Sequence, residues 1–90
     1  MLYELSIGHN NETKKLESAK AIAIIAQQFE GFSALKGLGY WQGQPEKTLF
    51  IKIETENKAG IVELAKELCR QLQQQAVAVA SIGSMEFISV

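Results

Sequence analysis

Thr48-Leu49-Phe50-Ile51-Lys52-Ile53-Glu54, followed by Thr55-Glu56-Asn57 and the run from Lys58 to Leu72, decides the fold. Leu49, Ile51 and Ile53 alternate with Thr48, Lys52 and Glu54, the two-residue period of a strand with one face turned inward. Phe50 is the exception, an aromatic residue among the outward positions. Asn57 is then placed to cap a helix. In that helix Ile61, Leu64, Ala65, Leu68 and Leu72 recur at i, i+3, i+4, i+7 and i+11, one narrow buried stripe. Gln73-Gln74-Gln75 closes it. A strand feeding an amphipathic helix is half of an α+β domain, so the other half is sought upstream.

There, Gly43-Gln44-Pro45-Glu46 reads as a turn. Before it, Gly37 and Gly39 weaken any helix between Phe32 and Gln42, while Tyr40 and Trp41 favour strand. An earlier helix runs to about Phe29, with Gly31 suited to a left-handed position just past its end. Its start falls among Asn10, Asn11 and Thr13, each able to accept a first-turn N–H. Ser18, Ala19, Ile22, Ile25, Ala26 and Phe29 form its expected core stripe, leaving Ile24 toward solvent or another subunit. Leu2–Ile7 alternates as a first strand with Tyr3, Leu5 and Ile7 on one face, ended by Gly8-His9-Asn10-Asn11. Downstream, Ala76–Ala80 reads as the last strand; Met85–Val90 either extends it after a bend at Gly83 or forms a short extra edge strand.

The order strand–helix–strand–strand–helix–strand, with right-handed crossovers and both helices on one apolar face, predicts an α+β ferredoxin-like sandwich. Its sheet is antiparallel with strand order 4-1-3-2. The 90 residues make one domain, 1–90. Apolar residues at 47% and charged residues at 21% argue against disorder. The net charge of −1 gives no field for nucleic acid or anionic lipid, so neither nucleic acid nor membrane is an expected partner. With no basic leader before Leu2, a single cysteine (Cys69) and no apolar run long enough to span a bilayer, a cytoplasmic setting is expected.

No catalytic or cofactor motif is legible, no cofactor is identified, and an enzyme is the less favoured reading. His9 is the only histidine, and with Cys69 and scattered glutamates it does not make a metal ligand set. Cys69, beside the second helix's buried stripe, reads as a small filler. The third strand lacks the basic residue, glycine and paired aromatics of an RNA-recognition motif.

Glu56-Asn57-Lys58-Ala59-Gly60-Ile61-Val62-Glu63-Leu64-Ala65 resembles the loop-and-helix signature of ACT domains, which bind amino acids as regulators. Over the whole chain, size and element order are similar to P-II-like and divalent-cation-tolerance proteins, which assemble as trimers, and to dimeric α+β-barrel monooxygenases. Jointly these resemblances imply an oligomeric, ligand-responsive module.

The topology brings Gly8–Asn11, Trp41–Glu46 and Gln73–Gln75 to one edge of the sheet. His9, Asn10, Trp41, Glu46 and Gln74 are therefore the expected binding set, with a small anion as the expected ligand because the first helix begins there. A sheet face carrying Phe50 predicts a homo-oligomer, a dimer in preference to a trimer. The alternatives are a structural or partner-binding accessory protein and an enzyme of the barrel-dimer type.

Overall fold

The structure is a computed structural model that describes residues 1–74 and 76–82. The elements run β1 (Leu2–Ile7), α1 (Ser18–Ala26), β2 (Ser33–Trp41), β3 (Gln44–Glu54), α2 (Lys58–Gln71) and β4 (Ala78–Ser81). They build one antiparallel sheet in the order β2-β3-β1-β4, the expected order read from the other edge. Tyr3, Leu5, Ile7, Leu49, Ile51 and Ile53 face the helices and pack with Ala21, Ile24 and Ile25 of α1 and Ile61, Leu64 and Leu68 of α2. Burying side chains of this size is the main stabilising term, at about 1.5–3 kcal/mol for each large aliphatic group.

The second half of the chain follows its pattern closely. Asn57 caps α2, its side chain accepting from the Gly60 N–H at 2.9 Å. Ile61, Leu64, Leu68 and Leu72 are fully buried, and Ala65 is half-buried at the margin. Phe50 lies on the open face, half-buried over Gly37: a Cβ added at Gly37 would stand 3.1 Å from its ring.

Three boundaries differ from expectation. First, α1 begins at Ser18, not near Asn10, and ends at Ala26, not Phe29. The Asn10 side chain takes the Glu12 and Thr13 N–H groups into a local turn, and Lys14 at φ 62° stops it from propagating as helix. Its buried face is Ala21, Ile24 and Ile25, with Ile22 and Phe29 partly buried, while Ala19 and Ala26 are exposed. Ile24, expected outside, is in the core: one isoleucine brings more apolar area to the face than the two alanines that pointed the other way. Gly31 is not left-handed.

Second, the hairpin turns at Gln42-Gly43, with φ of 51° and 77°, rather than at Gly43–Glu46. Two residues in the left-handed region make the turn whose twist suits flanking strands, so Gln44, Pro45 and Glu46 join β3. Pro45 fits because it faces Tyr40 one step from the hydrogen-bonded Trp41–Gln44 closing pair, at a position where no ladder N–H is required. Third, β4 starts at Ala78 rather than Ala76. The expected strand Met85–Val90 lies outside the described residues.

Candidate functional site

The β1–α1 loop, the hairpin base and the segment after α2 meet at one end of the sheet. Gln74 Nε2 donates to the Gly8 carbonyl at 2.5 Å, and the Asn11 N–H donates to the Gln73 carbonyl at 3.3 Å. The His9 N–H donates to Glu46 Oε1 at 3.3 Å, and His9 Nε2 stands 3.6 Å from the same oxygen. Glycine at position 8 makes this approach feasible, since a Cβ there would lie 2.5 Å from Glu46 Oε1. His9 Nδ1 is buried and has no hydrogen-bond partner among the described residues.

Of the expected set, His9, Glu46 and Gln74 are thus brought together. Asn10 is adjacent but committed to architecture: it is buried, its amide donates to Glu17 Oε1 at 2.5 Å, and its carbonyl oxygen holds two loop N–H groups. Trp41 closes β2 opposite Gln44, and its side chain lies outside what the structure describes.

The hairpin projects past the end of β1, whose last partner on β3 is Leu49. Between that projection and the β1–α1 loop lies an open cleft of about 930 Å³. Lys14 and Lys15 enter it from the loop, Lys36 and Lys47 from the hairpin, and Ser18 from the first turn of α1. These are four of the chain's nine cationic side chains, against Glu46 as the one carboxylate on the wall. The N-terminus of α1, at Ser18 on the cleft wall, has no side-chain cap and no acidic residue in its first turn. Its N–H groups add positive potential there, offset in part by the Glu17 carboxylate at the N-cap position, which accepts from Asn10 Nδ2.

A second hollow of about 670 Å³ lies on the open face, floored by Ser6, Gly39, Thr48 and Ala78 and walled by Phe50. His9 and Glu46 line both spaces. Among the described residues, no three His, Cys, Asp or Glu side chains group to hold a metal ion, and no helix is long and apolar enough to cross a membrane. Cys69 is free and half-buried.

The four lysines were not in the expected set. A turn over Gly43–Glu46 would have set Gln42 opposite Lys47 and Lys36 opposite Ile53, whereas the observed register sets Lys36 opposite Leu49. Recognising Gln42-Gly43 as a two-residue turn was the signal that brings Lys36 opposite Leu49, two residues from Lys47 on the same face, beside the loop lysines.

No protein-family model matches the sequence, and no curated protein matches it. Among solved structures, one similar fold is 5-chloro-2-hydroxyhydroquinone dehydrochlorinase from Burkholderia phenoliruptrix AC1100, in complex with 2,5-dihydroxybenzoquinone. Its TM-score is 0.61 at 13% identity, over 92% of this chain and 94% of that one. Another is a mutant of CutA1 from Pyrococcus horikoshii OT3, with a TM-score of 0.53 at 11% identity, over 96% of this chain and 87% of that one. At these identities the likeness is one of fold: a ferredoxin-like α+β sandwich, similar over nearly its whole length to a dehydrochlorinase and to CutA1.

Proposed function

We propose that the chain is a small homo-oligomeric binding module whose ligand is an anion carrying two or more negative charges, held in the lysine-lined cleft. The observation that carries this reading is the convergence of Lys14, Lys15, Lys36 and Lys47, from two separate segments, around one cleft at an uncapped helix N-terminus. In a chain of net charge −1, like charges gathered at one place repel unless an anion neutralises them. Calorimetric titration with inorganic pyrophosphate at low ionic strength tests it. Binding is expected to weaken as salt rises, and Lys36→Gln or Lys47→Gln should each weaken it by roughly two- to fivefold, the worth of an exposed charge pair. Absence of binding at millimolar pyrophosphate overturns the reading.

An acid–base enzyme is the second reading, favoured by the His9–Glu46 pair at the mouth of the open-face hollow and by His9 Nδ1, which is buried without a hydrogen-bond partner among the described residues. A carboxylate beside a histidine is a common way of orienting a proton-transferring imidazole, and here His9 Nε2 and Glu46 Oε1 stand 3.6 Å apart, just beyond hydrogen-bond distance. The dehydrochlorinase of similar fold supports testing phenolic substrates. Turnover lost in both His9→Gln and Glu46→Gln supports this reading, and turnover retained in both removes it.

A further inference from the structure

The nine residues of β2 form one edge of the sheet, and their outer side is unpaired among the described residues. Leu35 and Tyr40 are each 70% exposed and Leu38 is 58% exposed, so the largest apolar exposures of the sheet sit on this one strand. A long, exposed, apolar edge is a template for another strand. Its free groups can be assigned. The two-residue turn makes Trp41–Gln44 a hydrogen-bonded pair, so alternation directs Gly39, Gly37 and Leu35 toward β3. The N–H and C=O groups of Ala34, Lys36, Leu38 and Tyr40 therefore point away from the sheet.

We infer that this edge pairs with β2 of a second copy, antiparallel about a two-fold axis at Gly37. In that register Ala34 meets the partner's Tyr40, Lys36 meets the partner's Leu38, and all four free positions on each strand are satisfied, giving about eight bonds. Sliding toward the N-terminus puts Lys36 directly opposite the partner's Lys36, a like-charge pair that disfavours it. Sliding toward the C-terminus puts Ala34 against Gln42, which is bent into the turn at φ 51° and cannot pair. Charge and turn geometry thus leave one register that uses the whole edge. On the open face it sets Leu35 against the partner's Gly39, which gives an exposed leucine room to lie across the junction.

A two-fold axis through the junction stands perpendicular to the sheet, so both sets of helices cover the same side of one eight-stranded sheet. The partner's Lys36 then stands beside Leu38, on the wall of the lysine cleft. Each cleft gains a fifth lysine from the other subunit; this last clause rests on the anion-binding reading, and the pairing itself does not.

Sedimentation equilibrium in chloride buffer from about 5 to 500 µM tests the pairing, a range suited to the small interface of a strand edge. The expected mass is that of a dimer of 9.9 kDa chains. Leu38→Lys should weaken the dimer about tenfold, because it faces the partner's Lys36 with a like charge twice over, and Leu38→Glu should stay within about threefold of the parent. A monomer throughout overturns the inference, and so does equal weakening by both variants, the result for a non-specific apolar contact. Amide exchange gives a second readout: Lys36, Leu38 and Tyr40 should be protected, and fast exchange at all three in a dimer places the contact elsewhere. Adding pyrophosphate should tighten the dimer; a dimer that binds pyrophosphate with no change in its dissociation constant overturns the shared cleft alone.

Discussion

Gly8 and Glu46 set the geometry of the site one residue at a time. The carboxylate occupies the volume that any side chain at position 8 would need, and that closeness lets it meet both the backbone and the ring of His9. Gly8→Ala is expected to push the flexible Glu46 side chain aside rather than unfold the protein, at a cost below about 1.5 kcal/mol in urea melts. The same variant should shift the His9 ring signals in NMR spectra, and unchanged signals would mean that Glu46 does not hold the ring. His9, Glu46 and Gln74 were readable as neighbours because topology alone gathers their segments. Asn10 was readable as a polar loop residue but not as a structural one, since its role depends on Glu17 seven residues on and on the N–H groups of Glu12 and Thr13.

Among the elements, α2 is written plainly in the sequence and α1 is not. Four large aliphatic residues at helical spacing fix the phase of α2, so Leu68→Ala should cost roughly 2–5 kcal/mol through lost burial and a cavity. Asn57→Ala should cost about 1 kcal/mol by freeing the Gly60 N–H, as thermal unfolding would record. Near its C-terminus, Gln71 and then Arg70 hydrogen-bond the Glu67 carboxylate and hold its pKa below the usual range. A carboxyl group depressed in the folded state stabilises above its unfolded pKa and loses that contribution as pH falls through the folded value. The Tm advantage of the parent over Glu67→Gln should therefore be present at neutral pH and fade in acid. In α1, isoleucine or alanine occupies six consecutive positions, Ala21–Ala26, so periodicity does not choose a face. Packing against the sheet and α2 does.

For the whole molecule, strand order followed from element order and handedness, with no need for correct element ends. Assembly was another matter. Ile24 and Phe50 pointed to self-association, but Ile24 is in the core and Phe50 is half-covered, and the most exposed apolar groups among the described residues are Leu35, Leu38 and Tyr40 on the edge strand β2. Ile24→Ala is therefore expected to lower stability by roughly 2–4 kcal/mol and leave the mass in solution unchanged where the chain remains folded. A change of mass without loss of stability would return Ile24 to an interface. The two-residue turn at Gln42-Gly43 has a further consequence for how this protein tolerates change. An inserted residue absorbed with the turn kept at two residues would shift one strand of the hairpin past the other by half a repeat, carrying either Lys36 or Lys47 to the opposite side of the sheet. Binding character in such a molecule is then inherited through the alignment of two strands as much as through which amino acids are kept, and a lineage could lose its ligand by an insertion that leaves every lysine in place.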